Sequence, residues 1–243
     1  MTNTACRSFP ARPLRARIDP QPHELEGLRQ WLILNNRTTE WGQSSLNAYV
    51  TYALMNGMPS VQISKIAPLE TIALPDTTTR YTVRHTVGTP AWGALMTSFD
   101  APADQLRSFS TKALRIERRF ERSDATIATD KPLTKGEKIR VVLTITTDRE
   151  MDNVVLTDHR AALLEPIGVS AYRWTNNAFY YRDIHNTEER FYIDHLSRGT
   201  TVISYECYVT ASGTTLAGLA SIVSELAPEF TAHTTTDTLH GNQ

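Results

Sequence analysis

Gly136–Pro166 reads GEKIRVVLTITTDREMDNVVLTDHRAALLEP, and Phe191–Val209 reads FYIDHLSRGTTVISYECYV. In the first, Ile139, Val141, Leu143 and Ile145 alternate with Arg140, Val142, Thr144 and Thr146. In the second, Ile203, Tyr205, Cys207 and Val209 alternate with Ser204, Glu206, Tyr208 and Thr210. Successive side chains of a strand point to opposite faces, so a period of two in β-branched and aromatic residues predicts strands with one buried and one wet face. Neither stretch has the shape of a catalytic motif, which points to a binding or structural β-domain.

The pattern recurs on both sides. Strands are expected over Lys112–Phe120, Lys138–Thr147, Asn153–Asp158, Phe179–Ile184, Arg190–His195, Thr200–Thr210 and Thr214–Glu225, with a last one near Phe230–Thr234. Turn residues separate them at Lys135-Gly136, Arg198-Gly199 and Ala211-Ser212-Gly213. Seven or eight short strands at this spacing predict an antiparallel two-sheet sandwich over 111–236. The polar tail 237–243 is expected to fray.

The N-terminal half reads differently. Residues 1–22 carry Arg7, Arg12, Arg15 and Arg17 among four prolines and lack the apolar core of a secretory signal, which predicts a disordered leader. Over 23–57, Leu25, Leu28, Trp31 and Leu32 fall at helix spacing, and Leu46, Tyr49, Val50, Ala53 and Leu54 line a second helix capped by Ser44 or Ser45. The polar stretch 35–40 between them makes a helical hairpin. Strand chemistry returns in 58–110, at Val61–Ile66, Leu69–Leu74, Arg80–Val87 and Ala91–Phe99, and predicts a partial β-sheet domain. The fold class expected is therefore mainly β: a C-terminal antiparallel β-sandwich, a short sheet segment before it, and a helical hairpin at the N-terminal side.

A formal net charge of −1 over 243 residues gives no basic field to recruit nucleic acid. No apolar run approaches the ~20 residues of a membrane helix. The run Arg115, Arg118, Arg119, Arg122 is interleaved with Glu117 and Glu121 and reads as a solvated strand face. His185, Glu188, Glu189 and His195 follow none of the compact zinc spacings and read as ordinary surface residues. No G-x-S-x-G elbow accompanies Asp158-His159, so neither a catalytic group nor a cofactor is assigned. Cys207 is expected in the core, with no bridge to Cys6. The aromatic segment 172–181 fits either hairpin packing or a carbohydrate platform.

Several pieces, in order, carry a resemblance. Arg37-Thr38-Thr39-Glu40-Trp41-Gly42 with Ala48-Tyr49 and Tyr52-Ala53-Leu54 resembles the last helical hairpin of the thioester-domain toroid in bacterial alpha-2-macroglobulins. Pro90–Leu95, Pro132–Lys138, Arg149–Val154, Asp158–Pro166, Phe191–Leu196 and Ala227–His233 follow in that family's order, so that the resemblance covers residues 23–236. It implies a macroglobulin-type sandwich in the C-terminal portion of a cell-envelope protease inhibitor. The parent's partners would be proteases and its own other domains, and the fragment would be non-catalytic. The family's thioester requires a Cys-x-Glu-Gln motif. Cys6 is followed by Arg7-Ser8-Phe9 and Cys207 by Tyr208-Val209-Thr210, so no thioester is assigned to this chain, and no bait segment is recognisable. An Asp, an Arg and a Glu recur in the family where this chain has Asp158, Arg160 and Glu165. The expectation is that they hold a strand-connecting loop through charge-assisted hydrogen bonds, with partner contact as the alternative. A second reading of the whole is a cell-surface β-sandwich that binds carbohydrate or protein.

Overall fold

The structure is a computed structural model that describes residues 27–28, 31–34, 37–40, 42, 44–55, 72–75, 80, 82, 100–129, 131–175 and 177–242. The leader and most of the expected sheet over 58–110 lie outside the described residues. Of that segment, residues 72–75, 80, 82 and 100–110 are described, and of these only Phe109–Ser110 stand in a strand, which pairs with Ala232 and His233 of the sandwich. Residues 31–34 are helical, as is α1 (Ser44–Met55). Leu32 and Val50 are buried where helix spacing puts an apolar face, whereas Tyr49, expected on that face, is exposed.

The sandwich follows in fourteen strands: β1 (Phe109–Ser110), β2 (Leu114–Arg122), β3 (Leu133–Thr134), β4 (Lys138–Thr147), β5 (Met151–His159), β6 (Leu164–Pro166), β7 (Ala171–Trp174), β8 (Ala178–Ile184), β9 (Glu188–Leu196), β10 (Gly199–Val209), β11 (Gly213–Ala217), β12 (Ala220–Ser224), β13 (Thr231–His233) and β14 (Asp237–Asn242). One sheet has the order β1-β13-β12-β5-β9-β8-β7, the second β2-β4-β10-β6, and a third, smaller one β11-β14-β3. Every pair is antiparallel except β14 with β3. The molecule is thus mainly β and antiparallel.

The alternation read from the sequence sets which face is inside. On β4, Ile139, Val141, Leu143 and Ile145 are buried, and on β10 so are Ile203, Tyr205, Cys207 and Val209. The register Ile203↔Leu143 and Tyr205↔Val141 lays the two inner rows side by side, and a slip of one residue would turn the row of the slipped strand to water. They meet Met151, Val154 and Leu156 of β5 and Phe191 and Ile193 of β9 in one core. Gly136, in the turn that enters β4, has φ +87°, a backbone region with no steric cost only for glycine.

Two expectations fail in instructive ways. The single strand over Thr214–Glu225 is β11 and β12, which lie in different sheets. The break falls at Gly218-Leu219, where the chain passes so close to His159 that a Cβ on Gly218 would stand 2.6 Å from the His159 Cβ. The tail does not fray: β14 pairs with β11 and β3, anchored by fully buried Leu239 and by an ion pair of Asp237 with Arg118.

Candidate functional site: a buried ionic network and a docked segment

Four strands carry a charged residue at an inward position where the alternation calls for an apolar one. Arg118 is in phase with Leu114, Ile116 and Phe120; Asp158 with Val154 and Leu156; Arg182 with Ala178 and Tyr180; Glu189 with Phe191 and Ile193. All four are buried. Burying a charge is costly unless it is paired and hydrogen-bonded, so their contacts decide whether the core tolerates them.

The Arg118 Nη1 donates to Asp158 Oδ1 at 2.6 Å, while its Nε and Nη2 donate to Asp237 Oδ2 at 3.1 and 2.8 Å. The second Asp158 oxygen accepts the Tyr205 hydroxyl at 2.7 Å. Burial raises the Asp158 carboxyl above its ordinary value, and the charge of Arg118 and the Tyr205 hydroxyl pull against it. Burial works to lower Arg118, but Asp158 and Asp237 outweigh it and hold the guanidinium up. The Tyr205 hydroxyl is pushed well above its ordinary value, by burial first and by the adjacent Asp158 charge.

The Tyr205 ring continues the chain of contacts. The Arg182 guanidinium lies 5.1 Å from its centroid and reaches Glu189 with two bonds, Nε to Oε2 at 2.8 Å and Nη2 to Oε1 at 3.1 Å. This is the bidentate geometry that makes an arginine–carboxylate pair directional. Arg160 Nη1 adds a third bond to Glu189 at 3.0 Å, and its Nη2 donates to the carbonyls of His185 and Asn186. Asp237, Arg118, Asp158, Tyr205, Arg182, Glu189 and Arg160 thus form one line of contacts that joins all three sheets to the β5–β6 and β8–β9 connections. Replacement of Tyr205 by Phe removes one bond to a buried carboxylate, and equilibrium denaturation should show a loss of about 1–3 kcal/mol.

The solvated-face reading of the arginine run is therefore corrected: Arg115 and Arg119 are exposed, but the Arg118 side chain is fully buried. Glu189 is likewise no surface residue. The structure does not bring Asp158, Arg160 and Glu165 together. Asp158 pairs with Arg118, Arg160 with Glu189, and Glu165 stands exposed on β6. Cys207 is a free, buried thiol that burial pushes up to about 12, which makes it inert as a nucleophile. Among the described residues no group of His, Cys, Asp or Glu could hold a metal ion. No described helix is long and apolar enough to cross a membrane.

On the outer face of the seven-stranded sheet, Tyr172 and Trp174 of the edge strand β7 sit opposite Tyr181 and Phe179. Tyr172 stacks on Phe179 with centroids 5.2 Å apart, and Trp174 leans on the same ring at 4.4 Å. Trp174 is nevertheless 78% exposed, so hairpin packing accounts for only part of its surface.

A second cluster lies at the start of β5. The Asp152 backbone N–H donates to the Thr38 carbonyl at 2.6 Å, and the Asp152 Oδ2 accepts the Glu40 backbone N–H at 2.6 Å. Asn153, in the left-handed region at φ +53°, points its Nδ2 to Glu40 Oε1 at 2.8 Å. Arg37 pairs with Glu229. Residues 37–40, which lie between the two helical stretches, are thereby docked on the sandwich by main-chain pairing flanked by two side-chain contacts. His195 Nδ1 lies 2.6 Å from the other Asp152 oxygen, Oδ1.

Two antiparallel sheets packed on a core stitched by buried charges define a β-sandwich of macroglobulin type. Residues 114–229 match the bacterial alpha-2-macroglobulin MG10 domain, which supports a fragment of that family. The fold is similar to that of Salmonella alpha-2-macroglobulin reacted with methylamine, at 19% identity and TM-score 0.52 over 58% of this chain and 10% of that one. It is similar also to native Escherichia coli alpha-2-macroglobulin spanning domain MG7 to the C-terminus, at 15% identity and TM-score 0.51 over 58% and 25%. The E. coli protein activated by porcine elastase aligns at 13% identity and TM-score 0.50 over 58% and 14%. The chain spans between 10% and 25% of the length of these structures. No curated protein matches it.

Proposed function

We propose that this chain is the non-catalytic C-terminal portion of a bacterial alpha-2-macroglobulin-like protease inhibitor of the cell envelope. The observation that carries this is the MG10 match over the sandwich, 114–229. In the parent, proteases would be trapped by other parts of the molecule. Its relatives were captured reacted with methylamine and activated by elastase, which supports a parent that engages proteases. The role proposed for the sandwich is to pack against the thioester-domain region of the parent and to move with it when the bait is cleaved, and its contact with residues 37–40, between the two helical stretches, supports the packing. The domain division proposed is leader 1–22, helical hairpin 23–57, partial β-domain 58–110, sandwich 111–236 and tail 237–243, the tail being tied into the smallest sheet by β14. Asp158 and Arg160 hold strand connections through Arg118 and Glu189.

Purified chain incubated with a broad protease should leave cleavage of a protein substrate and of a small peptide substrate unchanged. A block of the large substrate that spares the small one would show trapping machinery within this chain and overturn the assignment. The exposed Trp174 and Tyr172 favour a second reading, a β-sandwich that binds carbohydrate by stacking sugar faces on the rings.

A further inference from the structure

We propose that the open edge of β10 is a binding site for an extended peptide segment that carries a carboxylate and adds a strand to the four-stranded sheet. The site lies within the sandwich and goes beyond the inhibitor reading, on which it does not depend.

The two sides of β10 are paired over different lengths. β4 accompanies it from Gly199 to Tyr208, whereas β6 covers only Cys207–Val209. Along an antiparallel strand the N–H and C=O of one residue point to one side and those of the next residue to the other. The Val209 C=O and N–H bond Gly136 and Glu137 at the entry to β4, so the odd-numbered residues of β10 face β4. The even-numbered ones face the other side, where the Glu206 carbonyl accepts the Ile167 N–H at 2.8 Å. There the ladder stops. The Ile167 carbonyl accepts Arg182 Nη1 at 3.1 Å instead of the Glu206 N–H, and Gly168, at φ +113°, turns the chain away. At the far end Asn177 Nδ2 occupies the Thr200 carbonyl. Between these points the N–H of Glu206, both main-chain groups of Ser204 and of Val202, and the N–H of Thr200 have no partner among the described residues.

Unpaired edges invite another strand, and proteins ordinarily protect them. This chain protects the edge of β2. Thr111 Oγ1 bonds both main-chain groups of Leu114, the turn at 126–128 bonds Phe120 and Arg122, and exposed Arg115, Glu117 and Arg119 stand along the strand. The β10 edge has no such protection. Its exposed side chains Thr200, Val202 and Ser204 are uncharged, and a groove of about 450 Å³ opens beside Ser204 and Glu206. A strand laid there is held by main-chain pairing. Charge selects which strand. Glu206 is engaged by Lys138 at 2.7 Å, Glu121 by Arg119, and Arg182 by Glu189. Arg140, which lines the groove from β4 between Glu206 and Glu121, is exposed and has no ion pair among the described residues. Side chains of an added strand alternate between the two faces, and those on the face of Ser204 come to the side of Arg140. A carboxylate at such a position meets the unpaired guanidinium, and an ammonium is repelled by it.

Hydrogen exchange of the full chain, read residue by residue, tests this with the end-capped peptide Thr-Val-Glu-Val-Thr. Without peptide, the amides of Val202, Ser204 and Glu206 should exchange fast, and those of Ile203, Tyr205 and Cys207, bonded to β4, should be protected. At a concentration about ten times its dissociation constant, the peptide should slow the first set roughly tenfold and leave the second unchanged. Lys in place of the peptide's Glu, or Arg140→Glu in the chain, should weaken binding by roughly two- to fivefold, the scale of an exposed ion pair, and the two changes together should restore it. Protection of the odd-numbered β10 amides in Arg140→Glu is the control on folding. No slowing of the even-numbered amides overturns the site, and slowing that ignores both charge changes overturns the acidic partner. Protection of these amides without peptide also overturns the proposal: a segment of this chain fills the edge if the protection survives dilution, and a second copy fills it if the protection fades.

Discussion

Replacement of Glu189 by Gln should lower the unfolding free energy by about 3–5 kcal/mol, with the denaturation midpoint shifted and the slope retained. The carboxylate accepts three bonds from two guanidiniums, Arg182 and Arg160, both nearly inaccessible to water. The amide keeps the shape but turns an N–H₂ donor toward arginine donors and removes the only negative charge bonded to either. Two buried cations are then uncompensated, and Arg160 retains only the carbonyls of His185 and Asn186. A loss below about 1 kcal/mol, the level of a surface pair, would mean that water reaches this network and that its description as buried is wrong.

Replacement of Asp158 by Ala should have a comparable effect, about 3–5 kcal/mol. It strips Arg118 of its fully buried partner, leaves the Tyr205 hydroxyl without an acceptor and opens a void between β2 and β10. Asp237 keeps two bonds to Arg118 but is partly exposed, so it offsets only some of the loss. The double variant Arg118→Met/Asp158→Leu separates two accounts of the pair. Burial already disfavours the charged carboxyl here, so an apolar pair of similar volume should recover most of the stability lost in Asp158→Ala. Its failure to recover would show that the charges, rather than the volume they fill, specify how the sheets meet.

The alternation of apolar residues in β4 and β10 was sufficient to predict their strands, their buried faces and the sandwich class, because a period of two is a local property of the chain. The same periodicity contained the signal for the ionic network. A charged residue in phase with Leu114 and Phe120, or with Phe191 and Ile193, is a buried one, as Arg118 and Glu189 are. Both lie among other charges in the sequence, and a charge run reads as solvated until each member's phase is counted. Nor does sequence proximity choose partners for Asp158, Arg160 and Glu165: Asp158 meets Arg118, Arg160 meets Glu189, and Glu165 is exposed.

The sequence by itself determined the β class, the inner faces of β4 and β10, the turn at Gly136 and the resemblance that the match over 114–229 bears out. Only the tertiary structure decided where Thr214–Glu225 breaks between sheets and that residues 237–242 form a strand. It alone joined Arg118 to Asp158 and Asp237, 40 and 119 residues away, and brought Thr38 and Glu40 to Asp152. The physical reason is separation. Periodicity reports how one strand meets a core, whereas the partner of a buried charge is chosen by the stacking of sheets that no local pattern encodes.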